Sequence, residues 1–368
     1  MRRILLVVLV ALTVVAVGVA VAAGGDPDEP DGSGRTAGAT STSTEAPTTS
    51  TTTRPRRGSG TPVTLAFGGD THFEGTLRSQ LDANPGGMFA PIAPTLAGAD
   101  VAMVNLETAI TEGGTPDQKA YNFRAPARAF GALQAAGVDV VTMANNHGRD
   151  YGPTGLADTL AAKPQAGMAV LGVGANATEA YAPWITEVKG QRLAFFGATD
   201  VLDDWLIQPW TATDAQPGLA STKDAAVDRL VAGIGAVRPT VDTVVVYLHW
   251  GAEGDQCPTP RQQQLAQQLV DAGADVIVGS HAHRVQTAGR LGSALVDYGL
   301  GNFAFYNESG LSGVTGVLRV TVTGRDVDGY EWLPARIRNG IPRLLDAGSA
   351  TADQQGFASR RACAGLQP

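Results

Sequence analysis

The chain has 368 residues, 43% of them hydrophobic, and a formal net charge of −8 at pH 7. About 300 residues remain after an N-terminal segment of unusual composition, which is enough for one large domain or two small ones. The acidic balance and the lack of a dense Lys/Arg patch argue against a general nucleic-acid binder.

Residues 1–23 begin with two arginines and continue with about twenty uncharged, mostly apolar residues, a length that can span a bilayer. The segment also ends in Ala20-Val21-Ala22, a form that a signal peptidase accepts. We therefore predict either a retained signal anchor or a cleaved signal peptide. In both cases the arginines favour the cytoplasmic side, so the rest of the chain is expected to be exported.

Residues 24–60 are rich in Thr, Ser, Gly and Pro. Such a segment cannot bury enough apolar surface to offset its ordering entropy, so we predict a disordered linker. A single domain is expected over residues 61–345, followed by a C-terminal tail over 346–368. Cys257 and Cys363 leave two alternatives open: a disulfide that pins this tail to the domain, or two unrelated thiols.

Three segments of the domain share one pattern of residues, beginning at Leu96, Gln134 and Val270. They read "LAGADVAMVNLET", "QAAGVDVVTMANNHG" and "VDAGADVIVGSHAH". In each, Ala-Gly, one residue and Asp precede an apolar run that ends in polar groups. The Gly is typical of the position just after a helix, and the apolar run is typical of a strand buried on both faces. Each segment therefore predicts a helix end, a buried strand and a polar cluster just past the strand.

Two further strands are predicted to end in polar clusters. They lie in "TPVTLAFGGDTHFEG" from Thr61 and "VDTVVVYLHWGAEG" from Val241. A helix before the second has apolar residues at helical spacing, namely Val227, Leu230, Val231, Ile234 and Val237. Another helix is marked by Thr259 as cap, Pro260 in its first turn and Gly273 at its end. The segments "GVTGVLRVTVTG" and "DGYEWLPARI" alternate as strands do.

Alternation of helices with buried strands predicts an α/β domain, in which ligands collect at the carboxyl ends of strands. All five histidines lie in the polar clusters, with Asp70, Glu107 and several amide side chains beside them. Imidazoles, carboxylates and an amide oxygen suit Mn, Zn or Fe, and they exceed the needs of one tetrahedral ion. We therefore predict two divalent metal ions, bridged by one carboxylate. Taken singly, Asp70 or Asn146 could equally serve a turn, and Glu107 could be a solvated carboxylate.

These residues resemble the calcineurin-like metallophosphoesterase superfamily, whose motifs follow strands in the same chain order. A narrower resemblance, over about residues 62 to 310, is to the CapA family, linked to poly-γ-glutamate capsule synthesis. The motifs that carry it are "NLET" (105–108), "YNFRAP" (121–126), "ANNHGRDYG" (144–152), "HWGAEG" (249–254), "GADVIVGSHAHRVQ" (273–286) and "YGLGNFAF" (298–305). Two departures matter: Glu107 stands where the superfamily has Asp, and His72 is kept where CapA-like chains often lack a His.

The resemblance implies a metallophosphatase-like α/β sandwich of two mixed β-sheets flanked by helices. It implies the following roles by position. One metal would take Asp70, His72 and His283, the other Asn146, His249 and His281, with Glu107 bridging them. His147 would act as general acid or stabilise developing charge. Asp150 would orient His147 or form a surface turn. Glu253 would support a ligand or be solvated. Arg124, Arg284 and Asn302 are candidates for binding the substrate.

The resemblance further implies an exported, envelope-associated, metal-dependent hydrolase acting on an anionic polymer or a phosphoester. Its role would be synthesis, anchoring or hydrolysis of poly-γ-glutamate or a related polymer, with a membrane synthase or export complex as partner and no nucleic acid. A water activated by the metals could attack a phosphoester or an amide. Two alternatives stay open: a phosphodiesterase or nucleotidase, and a non-catalytic accessory subunit with structural metals. The non-ligand His147 argues against the second.

Overall fold

The computed structural model describes residues 56–368. The predicted segment 1–23 and most of the predicted linker 24–60 lie outside the described residues. The last part of that linker, residues 56–60, is described and forms turns, and Arg56 Nε lies 2.6 Å from Asp326 Oδ1. Within the described range, none of the helices has the length and apolar character needed to cross a membrane.

Eighteen β-strands are found in the described residues. The strands are β1 (Val63–Thr71), β2 (Val101–Leu106), β3 (Ala109–Ile110), β4 (Arg124–Ala125), β5 (Val140–Thr142), β6 (Ala169–Leu171), β7 (Val173–Gly174), β8 (Trp184–Val188), β9 (Gln191–Thr199), β10 (Gly218–Leu219), β11 (Thr243–Trp250), β12 (Val276–His281), β13 (Ala288–Leu291), β14 (Ala294–Asp297), β15 (Asn302–Ala304), β16 (Val314–Thr323), β17 (Asp326–Arg338) and β18 (Ile341–Leu344).

Ten α-helices accompany these strands in the described part of the chain. The helices are α1 (Thr76–Ala83), α2 (Ala93–Ala97), α3 (Arg128–Ala135), α4 (Gly152–Ala162), α5 (Ala177–Ala180), α6 (Ile207–Trp210), α7 (Val227–Val237), α8 (Pro260–Ala272), α9 (Ala347–Ser359) and α10 (Arg361–Ala364). Short 3-10 turns cover Lys163–Gln165, Asp204–Leu206, Asp224–Ala226, Arg238–Thr240 and Gly310–Gly313.

Two large mixed sheets form the centre of the domain. The first has the order β18-β17-β16-β1-β2-β5-β6, with β15 also paired to β1, and the second has the order β13-β14-β12-β11-β9-β8. Within the first sheet β1, β2 and β5 are parallel, and within the second β11 and β12 are parallel. The antiparallel strands lie toward the edges of both sheets. The predicted α/β sandwich of two mixed sheets flanked by helices is confirmed.

Three layers of apolar side chains hold the sheets and helices together. Between the two sheets, Leu65 and Phe67 of β1 share a cluster with Phe195 of β9 and Val245 of β11. Ala66, one residue away on β1, lies in a different cluster on the outer face, with apolar residues of α1, α3 and α4. A third cluster joins α7 and α8 to the outer face of the second sheet. Successive residues of a strand point to opposite faces, so central strands must be apolar on both.

The predicted ends of helix α8 are confirmed. Thr259 Oγ1 accepts a hydrogen bond from the Gln262 amide, and the Gln262 side chain accepts one from the Thr259 amide. At the other end Gly273 has φ 113°, a conformation in which glycine is favoured. The prediction that a helix ends at Gly98 is also confirmed, because this residue directly follows α2, although its φ is −79°. This five-residue helix ends in a tight right-handed turn, closed by the Ala99 amide on the Leu96 carbonyl.

Residues 346–368, expected to be a tail, include helices α9 and α10. The ring of Phe357 in α9 stacks on Trp332 of β17, with their centroids 4.7 Å apart. Cys257 and Cys363 form a disulfide, with their Cα atoms 5.9 Å apart. The end of the chain is therefore attached to the first sheet through β17 and to the loop after β11.

Candidate metal centre

The polar clusters that follow the buried strands come together at one edge of the two sheets. Asp70 lies near the end of β1, Glu107 directly follows β2, and Asn146 and His147 follow β5. From the second sheet, His249 lies near the end of β11, and His281 and His283 lie at and just beyond the end of β12. Because these strands are parallel within each sheet, their carboxyl ends share an edge. The two sheets face each other, so both edges line one site.

A close approach of two backbone segments shapes this edge at Gly69. A Cβ atom at this position would lie 1.9 Å from the Gly301 carbonyl oxygen, so no larger residue fits without movement. The register of β1 against β2 shifts between Phe67 and Asp70. Such irregularities redirect a side chain beside many active sites. Here the shift is followed directly by Asp70.

Asp70 is fully buried and held from both sheets. Its Oδ1 accepts a hydrogen bond from Asn105 Nδ2 at 2.8 Å, and its Oδ2 accepts one from the His281 amide at 3.1 Å. His283 Nδ1 lies 3.4 Å from Oδ2. Burial alone would raise the pKa of Asp70, but the hydrogen bond from His283 and the charges of His249 and His283 lower it below its usual value.

Glu107 is fully buried, and neither of its carboxylate oxygens has a hydrogen-bond partner. Burial, followed by the negative charge of Asp70, raises the pKa of Glu107 well above its usual value. Two groups of potential ligand atoms share this residue, and within each group all the atoms lie within 4.8 Å of one another. The groups are Asp70, Glu107 and His249, and Glu107, His281 and His283. Glu107 therefore lies between two sets of donors.

The amide side chain of Asn146 joins this cluster through His249. Asn146 Oδ1 lies 2.7 Å from His249 Nε2, while Asn105 Nδ2 lies 3.1 Å from His249 Nδ1. Asn105 is held in turn by Asn145, whose Nδ2 donates to Asn105 Oδ1 at 2.9 Å. Burial lowers the pKa of His249 to about 3, so its imidazole is neutral at pH 7. A neutral imidazole is the form that ligates metals.

The backbone is unusual at the two histidines that follow β12. His281 has φ 98° and His283 has φ 52°, values that side chains other than glycine rarely adopt. Residues held in such conformations cluster at functional sites. The Nδ1 atom of His281 is buried without a hydrogen-bond partner. The pKa of His283 is raised to about 9: burial lowers it, but the hydrogen bond with Asp70 and the charge of Glu107 outweigh this.

The donor set and its unsatisfied atoms fit divalent cations. A fully buried carboxylate without partners is costly unless it is protonated, paired or bound to a metal. Three imidazoles, two carboxylates and one amide oxygen suit Mn, Zn or Fe better than Mg or Ca. Among the described residues, the structure brings together six of the seven predicted ligands: Asp70, Glu107, Asn146, His249, His281 and His283.

The seventh predicted ligand, His72, has different surroundings. Its Nδ1 lies 3.0 Å from the Glu74 amide, and its Nε2 lies 3.3 Å from the Tyr306 amide. Phe123 stacks on the ring at 4.6 Å, and Phe305 contacts it edge-on at 4.2 Å. Both ring nitrogens therefore face backbone amides, and the ring is enclosed by aromatic side chains. Burial lowers the pKa of His72 to about 3.

His147 lies beside the cluster without joining either ligand group. Its Nε2 is 4.0 Å from Glu107 Oε1, and its Nδ1 hydrogen-bonds Asp150 Oδ2. Phe123 stacks on the ring with centroids 4.0 Å apart. Burial, then the charge of Lys119, lowers the pKa of His147 well below its usual value. This arrangement leaves Nε2 directed toward the Glu107 side of the site.

The predicted substrate-binding residues are mostly engaged with the protein itself. Asn302 Oδ1 lies 2.7 Å from His283 Nδ1, and Arg284 Nη1 donates to the His283 carbonyl at 2.8 Å. Both residues therefore support the loop of His283. Arg124 lies over the Tyr151 ring at 4.9 Å. Glu253 is exposed.

Two residues of the site were not identified from the sequence. Lys119 Nζ hydrogen-bonds Asp150, and Phe123 separates the rings of His72 and His147. Both lie in the segment 111–123 between β3 and β4, where only the motif "YNFRAP" indicated a possible function. A single lysine in a loop has no pattern that marks it as buried.

Comparison with known proteins identifies relatives of this chain. Residues 64–307 match the model of the family described as "Bacterial capsule synthesis protein PGA_cap". Capsule biosynthesis protein CapA of Bacillus anthracis is 35% identical over 223 residues, covering 59% of this chain and 53% of that protein. PGA biosynthesis protein CapA of Bacillus subtilis (strain 168) is 30% identical over 221 residues, covering 59% and 56%.

A protein of Mycobacterium tuberculosis named "Probable polyglutamine synthesis accessory protein" is 32% identical over 189 residues, covering 50% of each chain. The chain thus spans about half the length of the curated relatives it matches. Solved structures are more distant. A hypothetical protein from Thermus thermophilus gives a TM-score of 0.47 at 20% identity, covering 75% of this chain and 100% of that one.

The 5'-nucleotidase from Candida albicans gives a TM-score of 0.40 at 10% identity, covering 81% of this chain and 57% of that one. Neither structural likeness is close enough to support an argument about activity. The family match rests on sequence, and it includes every strand end that lines the candidate metal centre. Because it covers more than half of the chain, this protein belongs to the bacterial capsule synthesis protein family PGA_cap.

Proposed function

We propose that this chain is a metal-dependent hydrolase of the cell envelope that acts on poly-γ-glutamate or a related anionic polymer. The polymer is suggested by the family and by the names of the relatives from Bacillus. Hydrolysis is suggested by the site. The observation that carries the proposal is Glu107, a fully buried carboxylate without a hydrogen-bond partner, between two sets of ligand atoms.

Two divalent ions, Mn, Zn or Fe, would be held by Asp70, Glu107, Asn146, His249, His281 and His283, with Glu107 shared between them. His72 is outside this set, because it belongs to neither group of potential ligand atoms. When bound, such ions polarise the scissile group and lower the pKa of a water molecule. Asn105 orients two of the ligands, since its amide contacts both Asp70 and His249.

His147 would act on the leaving group through Nε2. Because Asp150 holds the Nδ1 proton and burial lowers the pKa of the ring, Nε2 would first have to gain a second proton before it could donate one. Asp150 accepts from Nδ1, which selects the ring orientation, and Nε2 is left for the substrate. Phe123 and the burial of the ring limit its contact with water. A proton donor at this position serves either a phosphoester or an amide, so both substrate classes fit the residues of the chain.

We place the protein outside the cytoplasm, anchored by or released from its N-terminal segment. The Cys257–Cys363 disulfide supports this, because such bonds persist mainly in oxidising compartments. A membrane synthase or export complex would be the partner, in keeping with the capsule-related names of the relatives.

The test is hydrolysis by the purified full-length protein, loaded with Mn or Zn, of poly-γ-glutamate and of an aryl phosphodiester. We expect the wild type to cleave at least one of them. His147→Gln should reduce kcat by about 100-fold or more while the metal content stays the same. If the loaded wild type cleaves neither substrate, the hydrolase proposal fails.

A second candidate is a non-catalytic accessory subunit, which is favoured by the name of the relative from Mycobacterium tuberculosis. In that case the metals would stabilise the site without supporting turnover. The accessory role predicts that His147→Gln leaves polymer production unchanged in cells, whereas Glu107→Gln reduces it by destabilising the fold.

A further inference from the structure

Lys119 is a buried lysine whose side chain is only 7% exposed. An ammonium group in such a place requires partners for its three N–H donors. The structure provides them in three directions. Nζ lies 2.5 Å from Asp150 Oδ1, it hydrogen-bonds the backbone carbonyl of Asn146, and it lies 5.0 Å from the centre of the Trp210 ring.

These partners belong to two different parts of the site. The side chain of Asn146 contacts His249 Nε2 at 2.7 Å, so the Asn146 carbonyl belongs to the segment that positions a proposed metal ligand. The other oxygen of Asp150 hydrogen-bonds His147 Nδ1 and accepts from the Phe123 amide at 2.6 Å. One ammonium group therefore contacts both the ligand segment and the carboxylate that orients the proton donor.

We propose that Lys119 is a positioning residue that sets the orientation of His147 relative to the metal ligands. This inference rests on the proposed function. Lys119 fixes Asn146 through its carbonyl and fixes His147 through Asp150, so the two cannot move independently. A compact ammonium can direct its donors to a carbonyl, a carboxylate and a ring face at once. The planar guanidinium of arginine cannot match this arrangement.

A matched control exists elsewhere in the chain. Lys163 Nζ contacts the Val173 carbonyl at 2.9 Å and Glu179 Oε1 at 3.0 Å. Like Lys119, Lys163 therefore contacts one backbone carbonyl and one carboxylate, but neither of these groups belongs to the candidate site. Lys163→Met therefore removes a similar pair of contacts without affecting His147.

The first experiment is a double-mutant cycle with the metal-loaded, full-length protein. Lys119→Met is expected to lower kcat by about tenfold or more, with KM within about twofold and the metal content unchanged. If Lys119 acts through Asp150, the variant combining Lys119→Met with Asp150→Asn should be no slower than the slower single variant. Lys163→Met should match the wild type. Additive losses, or equal losses in Lys119→Met and Lys163→Met, would overturn the proposal.

The second experiment does not depend on turnover. Nitrogen-15 spectra of the zinc-loaded protein report which ring nitrogen of each histidine carries the proton. In the wild type we expect His147 to be protonated at Nδ1, and in Lys119→Met we expect its ring signals to change while those of Lys163→Met do not. Unchanged His147 signals in Lys119→Met would overturn the proposal. If the wild type cleaves no substrate, the proposed hydrolase fails and these spectra alone decide the role of Lys119.

Discussion

His72 and Glu107 are both buried beside the candidate metal centre, but their polar atoms have opposite surroundings. The ring nitrogens of His72 each face a backbone amide, whereas both oxygens of Glu107 have no hydrogen-bond partner. Burial of a carboxylate without a hydrogen bond is costly, and the His249 Nε2 atom 3.4 Å away belongs to a neutral ring, so Glu107 needs a proton or a bound cation. Burial lowers the pKa of His72 to about 3, so its ring is neutral at pH 7.

Neutral, buried His72 should make the protein sensitive to acid. Its pKa is about 3 in the folded protein and near 6.5 when unfolded, so only the unfolded chain gains a proton between these values. The neutral ring of His72 therefore makes its full contribution to the free energy of unfolding above about pH 6.5. This contribution decreases as the pH falls, by about 1 kcal/mol between pH 7 and pH 5.5. In His72→Phe this part of the pH dependence should disappear, as measured by urea unfolding. An unchanged slope would contradict this reading of His72.

Residue types and order in the sequence predicted most of the candidate centre but not the surroundings of each residue. Six of the candidate ligands could be predicted to lie together because their chemistry and their positions after strands coincide. The aromatic enclosure of His72 depends on Phe123 and Phe305, which are far apart in the chain. Lys119 was missed because its partners are contributed by a different loop.

At the scale of elements, the ends of helices and strands position the site. Helix α8 begins at the Thr259 cap and ends at Gly273, and β12 follows directly with His281 at its end. Capping residues were readable from the sequence because their hydrogen bonds are local. The end of α2 at Gly98 was readable in the same way, and the backbone there forms a tight right-handed turn.

Gly273 and Gly235 should respond to alanine in opposite ways. At Gly273 the backbone has φ 113°, and a Cβ atom would lie 2.7 Å from Arg238 Cδ, so Gly273→Ala should destabilise the protein by about 1–3 kcal/mol. Gly235 lies inside α7 with no atom within 4 Å of a new Cβ, so Gly235→Ala should stabilise by up to about 1 kcal/mol. Urea unfolding of both variants measures these two changes in the free energy of unfolding. Equal effects would contradict the assigned ends of α8.

At the scale of the whole molecule, the site depends on the packing of two sheets. The first sheet supplies Asp70, Glu107 and Asn146, and the second supplies the three histidines of the candidate centre. The sequence pattern predicted that these strand ends converge. It could not assign each strand to a sheet, because strand order is determined by contacts between distant residues. The same limit applies to the C-terminal helices, which pack through Phe357 and the disulfide.

The disulfide should contribute substantially to stability. Cys257 and Cys363 are 106 residues apart, so their bond restricts a large loop of the unfolded chain. Reduction is expected to lower the free energy of unfolding by about 2–4 kcal/mol. The variant combining Cys257→Ser with Cys363→Ser should have this lower stability and no response to reductant. Identical unfolding midpoints with and without reductant in the wild type would contradict the prediction.

The central claim is that Glu107 is shared by two bound cations, and elemental analysis tests it most directly. Full-length wild type, Glu107→Gln and Glu112→Gln are equilibrated with Mn or Zn, dialysed and measured. Glu112 is the control, because its side chain is 69% exposed on the surface. We predict about two ions per chain in the wild type and in Glu112→Gln, and fewer than one in Glu107→Gln. A wild type without bound ions, or a Glu107→Gln variant that retains two, would contradict the account.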